Sequence, residues 1–464
     1  YSQLTLEEKE AVERIETLVD LADFEEEVTQ KKKLNEDVDT QIEILPNSDS
    51  FYNQQQFIAQ LTALITSEKH SIIFVYGGGG IGKTATVSET LRQLPQQNQN
   101  IVWCNLGDRL SFTENVEFIY DQWNLDENAN DAITVLGSYL ENNPQILIFD
   151  HWELLFEGDR LSGSYQPQYQ KYDELLKQLA AISIQGTVLV LTREIAPSMD
   201  RLVAASPTTV TSLTVPPLTA QTAQKILQEY KLQDEELWPD LIEIYQGNPL
   251  NLRLICNSIK EWYGGSVAAF QRQNTIIGGD TLREILKELI QPITRLEQQV
   301  LYWLMLWGQP ITLAELQEKK WDKVLFSTQI WDAVRSLERR FLIRNSDSPT
   351  LRLLALQPSI KRYLVQQFIQ DCCEEITEAI ADNYSVSDFD LLKNYQLLLS
   401  DQPNTQSAIF VITSILRGLK QVYLEPERVQ THLTQLKQAI KQQAIADQKY
   451  ALANINQLLK YNVG

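Results

Sequence analysis

The stretch "VYGGGGIGKTATVSETL" (75–91) carries the densest chemistry in the chain. Gly77, Gly78, Gly79, Gly80, Ile81, Gly82, Lys83 and Thr84 match the pattern GxxxxGK[ST], with the apolar run "SIIFVY" before and a helix-forming stretch after. Glycines let backbone N–H groups turn inward around an anion, where any Cβ would collide. The helix that follows adds its positive N-terminal end. Lys83 would then reach the β- and γ-phosphates of a nucleotide, and Thr84 would hold Mg²⁺. The bland alternative is a glycine-rich turn with a chance Lys-Thr, and the flanking strand and helix weigh against it.

"QILIFDHWELL" (145–155) supplies a partner for that loop. Four apolar residues run into Asp150, which puts an acid at the carboxyl end of a buried strand, where it would support Mg²⁺ directly or through water. Glu153, three residues on, is placed to polarise an attacking water; its plainer reading is a solvated residue opening the next helix. "GTVLVLT" (186–192) is the candidate for a later strand inserted in space between the loop strand and the acid strand. Arg193 would then face the crevice at the sheet's carboxyl edge and sense or neutralise γ-phosphate charge. Its alternative is a surface Arg paired with Glu194.

The elements that must position these groups are legible. Runs at 71–76, 100–106, 145–150, 186–192 and 210–215 are continuously apolar and β-rich, as in strands buried on both faces. Helical stretches such as 83–94 and 172–184 separate them, which predicts a parallel, doubly wound α/β sheet. After 216 the pattern is helical, broken at "QGNPL" (246–250) and interrupted by a short β pair near 341–345 and 351–357. Three helices plus a hairpin is the winged-helix pattern. A capping box at Thr5 and Glu8 with helical apolar spacing predicts an N-terminal helix over 1–30, followed by an acidic linker at 31–50.

Composition narrows the function. Of 464 residues, 43% are hydrophobic and 22% charged, as in ordinary globular chains, and length predicts two to four domains. Net charge is −21, with 15 acids against 5 bases in residues 1–50, so a basic footprint for nucleic acid is missing. No apolar run approaches the ~20 residues of a membrane span, and "VLYWLMLWG" (300–308) reads as core. Cys104, Cys256, Cys372 and Cys373 form no CxxC, which fits a reducing cytoplasm rather than a disulfide or zinc framework. The chain opens on Tyr1, so a missing targeting segment says nothing of an intact N-terminus.

Nine stretches, in order over about 51–370, resemble STAND-class signalling ATPases of the NB-ARC type, in particular cyanobacterial proteins that continue into propeller or pentapeptide repeats. They are "FYNQQQFIAQLTALI", "YGGGGIGKTA" (ending at Ala85), "LIFDHWE", "YQPQYQKYDELLKQLA", "LVLTREIAPS", "VPPLT", "YQGNPLNLRLI", "RLEQQVLYWL" and "LLALQPSIKRYL". The resemblance implies nucleotide contacts from Gly77 through Ala85, and Pro249 packed on the adenine within a helical lid. It also implies a winged helix that contacts the β-phosphate of ADP, commonly through a His. Gln357 stands at that place and never carries charge. Asn53 and Gln54 stand where the family usually has Gly-Arg. The tail is similar to the helical segment that precedes the repeats, so a sensor is expected on a further segment or a separate partner.

The expected organisation is an N-terminal helix (1–30), a linker (31–50), a P-loop nucleotide-binding α/β domain (51–216), a helical lid (217–282), a winged helix (283–370) and a C-terminal helical segment (371–464). The expected function is a cytoplasmic switch that holds ADP when closed, opens to self-oligomerise with ATP and Mg²⁺, resets by slow hydrolysis, and answers a protein stimulus or effector of unknown identity. Two rivals stand beside it. One is a winged-helix transcriptional regulator reading DNA through Arg335, Arg339, Arg340 and Arg344; the other is a scaffold that holds nucleotide without turnover.

Overall fold

The computed structural model describes residues 51–461, except 53, 68, 95–100, 126–130, 273–279, 320, 322–324, 347–351, 388, 399–404 and 443–448. The expected N-terminal helix, the acidic linker and Asn53 lie outside the described residues.

Five strands, β1 (Ile72–Tyr76), β2 (Ile101–Asn105), β3 (Ile146–Asp150), β4 (Thr187–Thr192) and β5 (Val210–Thr214), form one parallel sheet in the order β2-β3-β4-β1-β5. All residues of β1, β3 and β4 are buried, which is why their sequences are continuous apolar runs rather than alternating ones. β4 does insert between the loop strand and the acid strand. Its register sets Phe149 beside Val190 and Tyr76 beside Thr192, so the carboxyl ends of all three central strands meet at one edge. Helices Lys83–Gln93, Phe112–Trp123, Ala132–Asn142, Gln170–Ala181 and Pro197–Ala205 follow the strands. Beneath the edge, Phe149, Trp152 and Tyr172 meet edge to face with centroids 5.4–5.9 Å apart, a rigid floor for what stands above.

From Ala220 the chain is helical: Ala220–Glu229, Trp238–Ile244, Pro249–Tyr263, Val267–Arg272 and Asp280–Ile290. Next come helix Arg295–Trp307, β6 (Ile311–Thr312), helices Leu313–Gln317 and Ser327–Arg339, and the hairpin β7 (Ile343–Ser346) and β8 (Leu353–Leu356), with antiparallel order β6-β8-β7. Every residue from Val300 to Trp307 is buried, which accounts for a helix apolar on all sides. A single 24-residue helix, Pro358–Ala381, passes through residue 370 without a break. Its first half contributes Ile360, Leu364 and Phe368 and its second half Cys372 and Ile376 to one apolar core, which extends from Leu218 to Leu458 and is separate from the core of the sheet. The helices from Ala220 to Ile290, the hairpin-bearing arm and the tail are therefore joined by shared hydrophobic packing.

No single described helix is long and apolar enough to cross a membrane. The pair Gln406–Tyr423 and Pro426–Gln442, which is apolar enough together, bends by 110° and buries Ile412, Ile415 and Leu436 in the tail's core.

Asp371, on the long helix, is half-buried beside Glu374, and burial foremost pushes its carboxyl up from 3.8 to about 6. The folded chain thus holds that proton where the unfolded chain has lost it, and stability falls as pH climbs from about 4 to 6. Asp371→Asn is expected to raise the melting temperature by roughly 1–2 °C at pH 7, after discounting for solvent screening, and to leave it unchanged at pH 3.5. Thermal melts at the two pH values check this.

Candidate functional site

The glycine loop between β1 and helix Lys83–Gln93 takes a shape that side chains would prevent. Gly80 and Gly82 have φ of +74° and +98°, where glycine is favoured. A Cβ on Gly77 would meet Ile81 Cγ2 at 2.8 Å, and one on Gly80 would meet Leu250 Cβ at 2.7 Å. Ile81 N donates to Gly78 O at 3.3 Å, whereas the N–H groups of Gly80, Gly82, Lys83 and Thr84 make no backbone hydrogen bond among the described residues. Four free donors at a helix N-terminus form an anion cradle.

Lys83 folds over the loop, its Nζ donating to Gly77 O at 2.8 Å and Gly78 O at 3.3 Å. Burial pushes its ammonium down to about 8, against the pull of Glu153. Thr84 Oγ1 donates to Asp150 Oδ2 at 2.8 Å, and His151 N donates to Asp150 Oδ1 at 2.8 Å. Asp150 is 3% exposed, and burial raises its carboxyl above the usual range. A hydroxyl and a carboxylate at this separation, beside an anion cradle, suit a hard divalent cation bridging to phosphate.

His151 takes φ +60° at the end of β3, and the 3₁₀ turn Trp152–Leu155 swings Glu153 back over the sheet edge. Glu153 is not a solvated helix opener. Its carboxylate accepts from Arg193 N at 3.0 Å and from Arg193 Nε. Burial alone would raise that carboxyl, but Lys83 and Arg193 outweigh it and hold it below the ordinary value. The pairing of Arg193 with Glu194, the alternative read from sequence, is not what forms. The two side chains diverge from the end of β4, and Glu194 accepts instead from Gly163 N at 2.6 Å.

Three further segments close on the loop; Pro249 and Gln54 among them are named from sequence, whereas Asn248, Leu250 and Leu289 are not. Asn248 caps helix Pro249–Tyr263 by accepting from Asn251 N at 3.1 Å, and its Nδ2 donates to Gly79 O at 2.8 Å. Leu250 N donates to Gly80 O at 3.3 Å, and Pro249 Cγ lies 3.9 Å from where a Cβ on Gly82 would be. The signal for Asn248 was present, since Asn before Pro at a helix start is a cap; its second amide function was not readable. Leu289, from helix Asp280–Ile290, stands 3.3 Å from a Cβ position on Gly79. Gln54 bridges the first helical turn to the strand exit, accepting from Thr86 Oγ1 at 3.5 Å and donating to Pro216 O at 3.1 Å. Ala85 is half-buried in that first turn.

The arm bearing the hairpin reaches the opposite side. Phe341, at φ +57°, packs on the sheet's core and puts its Cβ 3.9 Å from a Cβ position on Gly78. Gln357 N donates to Leu342 O at 3.4 Å at the start of the long helix, where its side chain makes no capping bond. Ile195 N donates to Arg339 O at 3.1 Å and Ser162 N donates to Ser336 Oγ at 2.7 Å. Arg339 pairs with Asp200 at 2.9 Å, and Arg340 is buried against Glu194 and Glu297. Two of the four arginines considered for DNA are thus turned into the protein.

No protein-family model matches the chain. It is 28% identical over 356 residues to an uncharacterized WD repeat-containing protein of Nostoc sp., across 72% of this chain and 27% of that protein, so the chain spans about a quarter of that relative's length. Among solved structures it is similar to a Walker-type ATPase of Pyrococcus abyssi (13% identity, 70% of this chain and 99% of that one, TM-score 0.45). It is also similar to a STAND ATPase with a tetratricopeptide-repeat sensor from Pyrococcus horikoshii (16%, 91% and 60%, TM-score 0.33) and to Cdc6p from Pyrobaculum aerophilum (14%, 69% and 97%, TM-score 0.33).

Proposed function

We propose that the chain is a nucleotide-operated switch of the STAND type, which binds ADP or ATP with Mg²⁺ on the loop from Gly77 to Thr84. The observation that supports it is convergence: Asn248 and Leu250 bond to the carbonyls of Gly79 and Gly80, while Phe341 abuts Gly78. A group that reshapes the loop is felt at once by the lid and by the winged-helix arm, and only such differential contact lets a ligand shift a conformational equilibrium.

The N–H groups of Gly80, Gly82, Lys83 and Thr84 and the Lys83 ammonium would hold phosphate oxygens, and Thr84 with Asp150 would hold Mg²⁺. The cation supplies charge neutralisation and a template for phosphate oxygens. Pro249 would border the base. Glu153, anionic and tied to Arg193, is restrained from acting as a base; drawing Arg193 toward added negative charge would free it to orient water. Turnover is therefore slow and serves as reset. ATP opens the arm for self-assembly and ADP keeps it closed, with a protein stimulus acting on the arm in a reducing cytoplasm, in keeping with four free cysteines. The burial of Arg340 and the pairing of Arg339 with Asp200 count against the reading as a DNA regulator.

Particle mass measured with ADP and then with a non-hydrolysable ATP analogue tests the switch. A larger species is expected only with the analogue, and equal masses would sink it. Glu153→Gln is expected to lower steady-state phosphate release at least tenfold while ADP affinity stays within about threefold. Unchanged release would assign the water-positioning role elsewhere, and no release from the parent chain would favour the scaffold reading.

A further inference from the structure

A cavity of about 740 Å³ lies away from the glycine loop, where three parts of the fold meet. Helices Trp238–Ile244 and Val267–Arg272 of the lid give it Asp240, Ile244 and Phe270. Helix Arg295–Trp307 of the arm gives Met305 and Leu306, and the long helix gives Lys361, Arg362 and Val365. Helix Thr405–Tyr423 of the tail gives Ala408, Phe410 and Val411. Protein interiors hold few voids larger than a water molecule, and a space of this size falls in the range of small-molecule sites. Three parts of the chain that share one apolar core line it.

Its lining is asymmetric. The body is apolar, built from Ile244, Phe270, Met305, Val365, Phe410 and Val411. Two cations sit together on the long helix in a chain whose net charge is −21, and Asp240 is the one acid among the described lining residues. Lys361 Nζ donates to Gly308 O at 3.0 Å, which closes the C-terminus of helix Arg295–Trp307 and uses one of its three protons. Burial lowers the Lys361 ammonium below its ordinary value, and a carboxylate placed beside it would help to keep it charged. Arg362 adds a planar guanidinium fork that matches a carboxylate.

We infer that this cavity binds a small amphiphilic acid, an acyl-chain carboxylate whose tail lies along Phe270, Met305 and Phe410 and whose head meets Arg362 beside Lys361. Such a ligand touches lid, arm and tail together and stabilises their mutual packing. The site shares no residue with the glycine loop, and the inference stands or falls apart from the nucleotide reading.

Calorimetry and thermal melting of the full chain test it, with dodecanoate as probe and dodecylamine as its cationic counterpart, both below micelle formation. Saturable binding of dodecanoate at one per chain is expected, with a concentration-dependent rise in melting temperature. Dodecylamine is expected to bind at least tenfold more weakly. Arg362→Gln should weaken dodecanoate at least tenfold, and Val411→Trp, which fills the space, should abolish binding. Each variant's ligand-free melt and ADP affinity establish that it is folded. No saturable heat with dodecanoate, equal binding of the amine, or binding unchanged in both variants would overturn the inference.

Discussion

Lys83→Ala is expected to weaken both ADP and ATP by roughly 10²-fold, about 3 kcal/mol, the scale of losing charged hydrogen bonds to phosphate. The ligand-free protein should tolerate the change. Lys83 is held between the carbonyls of Gly77 and Gly78 at a burial that already depresses its ammonium, so its loss removes a strained charge as well as two bonds. A near-parental melting temperature without nucleotide, together with a collapsed ADP isotherm, is the expected pair of results. Arg193→Ala supplies the contrast. Arg193 packs its Cδ and Nη1 3.7 Å from a Cβ position on Gly79 but spends its hydrogen bonds on Glu153, so ADP affinity should hold while the preference for triphosphate is lost. If Lys83→Ala bound ADP within threefold of the parent, the glycine loop would not be a phosphate grip, and the switch reading would fall with it.

How much of this was legible depended on the range of the forces involved. The central strands announced themselves because burial on both faces leaves an unbroken apolar run, and Arg193 was placed at the crevice from the reading of β4 as the strand inserted between β1 and β3. β6 was missed because it is two residues long and Thr312 doubles as the cap of the next helix. The run through residue 370 read as a boundary because its composition turns rich in Gln, yet helical spacing continues and Phe368 and Cys372 share one core. The phosphate cradle was legible as a motif because its geometry is local. The docking contacts were not: Asn248 meets Gly79 across 169 residues of chain, and Phe341 adopts a left-handed backbone that no aromatic residue advertises. Such contacts belong to the assembled domains rather than to any window of sequence.

The same limit hid the residue on which the docked arm depends most. Arg340→Ala is expected to release the arm, at a cost of about 3–5 kcal/mol, the range for leaving a buried charge without its partner. The Arg340 guanidinium donates to Pro292 O at 2.9 Å and Arg160 O at 2.7 Å, and stands 3.5 Å from Glu194 and 3.8 Å from Glu297. Glu297 is 0% exposed; its Oε2 accepts from Thr294 N and Oγ1, leaving Oε1 to face Arg340. Burial raises the Glu194 carboxyl, and Arg340 draws it back down. Arg193 and Glu194 are adjacent at the end of β4, so one grips the site's carboxylate while its neighbour grips the arm. Under the proposed switch, movement of Arg193 toward nucleotide would be felt at the hold on Arg340. Arg340→Ala should expose the 157–163 and 291–294 segments to protease and enlarge the scattering radius with ADP bound. Arg340→Lys should fall between, because one ammonium cannot span four acceptors. Adding Glu194→Gln and Glu297→Gln to Arg340→Ala separates the causes. Recovery of compactness would assign the loss to uncompensated charge, and continued opening would assign it to the bonds that tie Arg160 and Pro292 together. Parental protease resistance and radius in Arg340→Ala would show that apolar packing at Phe341 alone keeps the arm down.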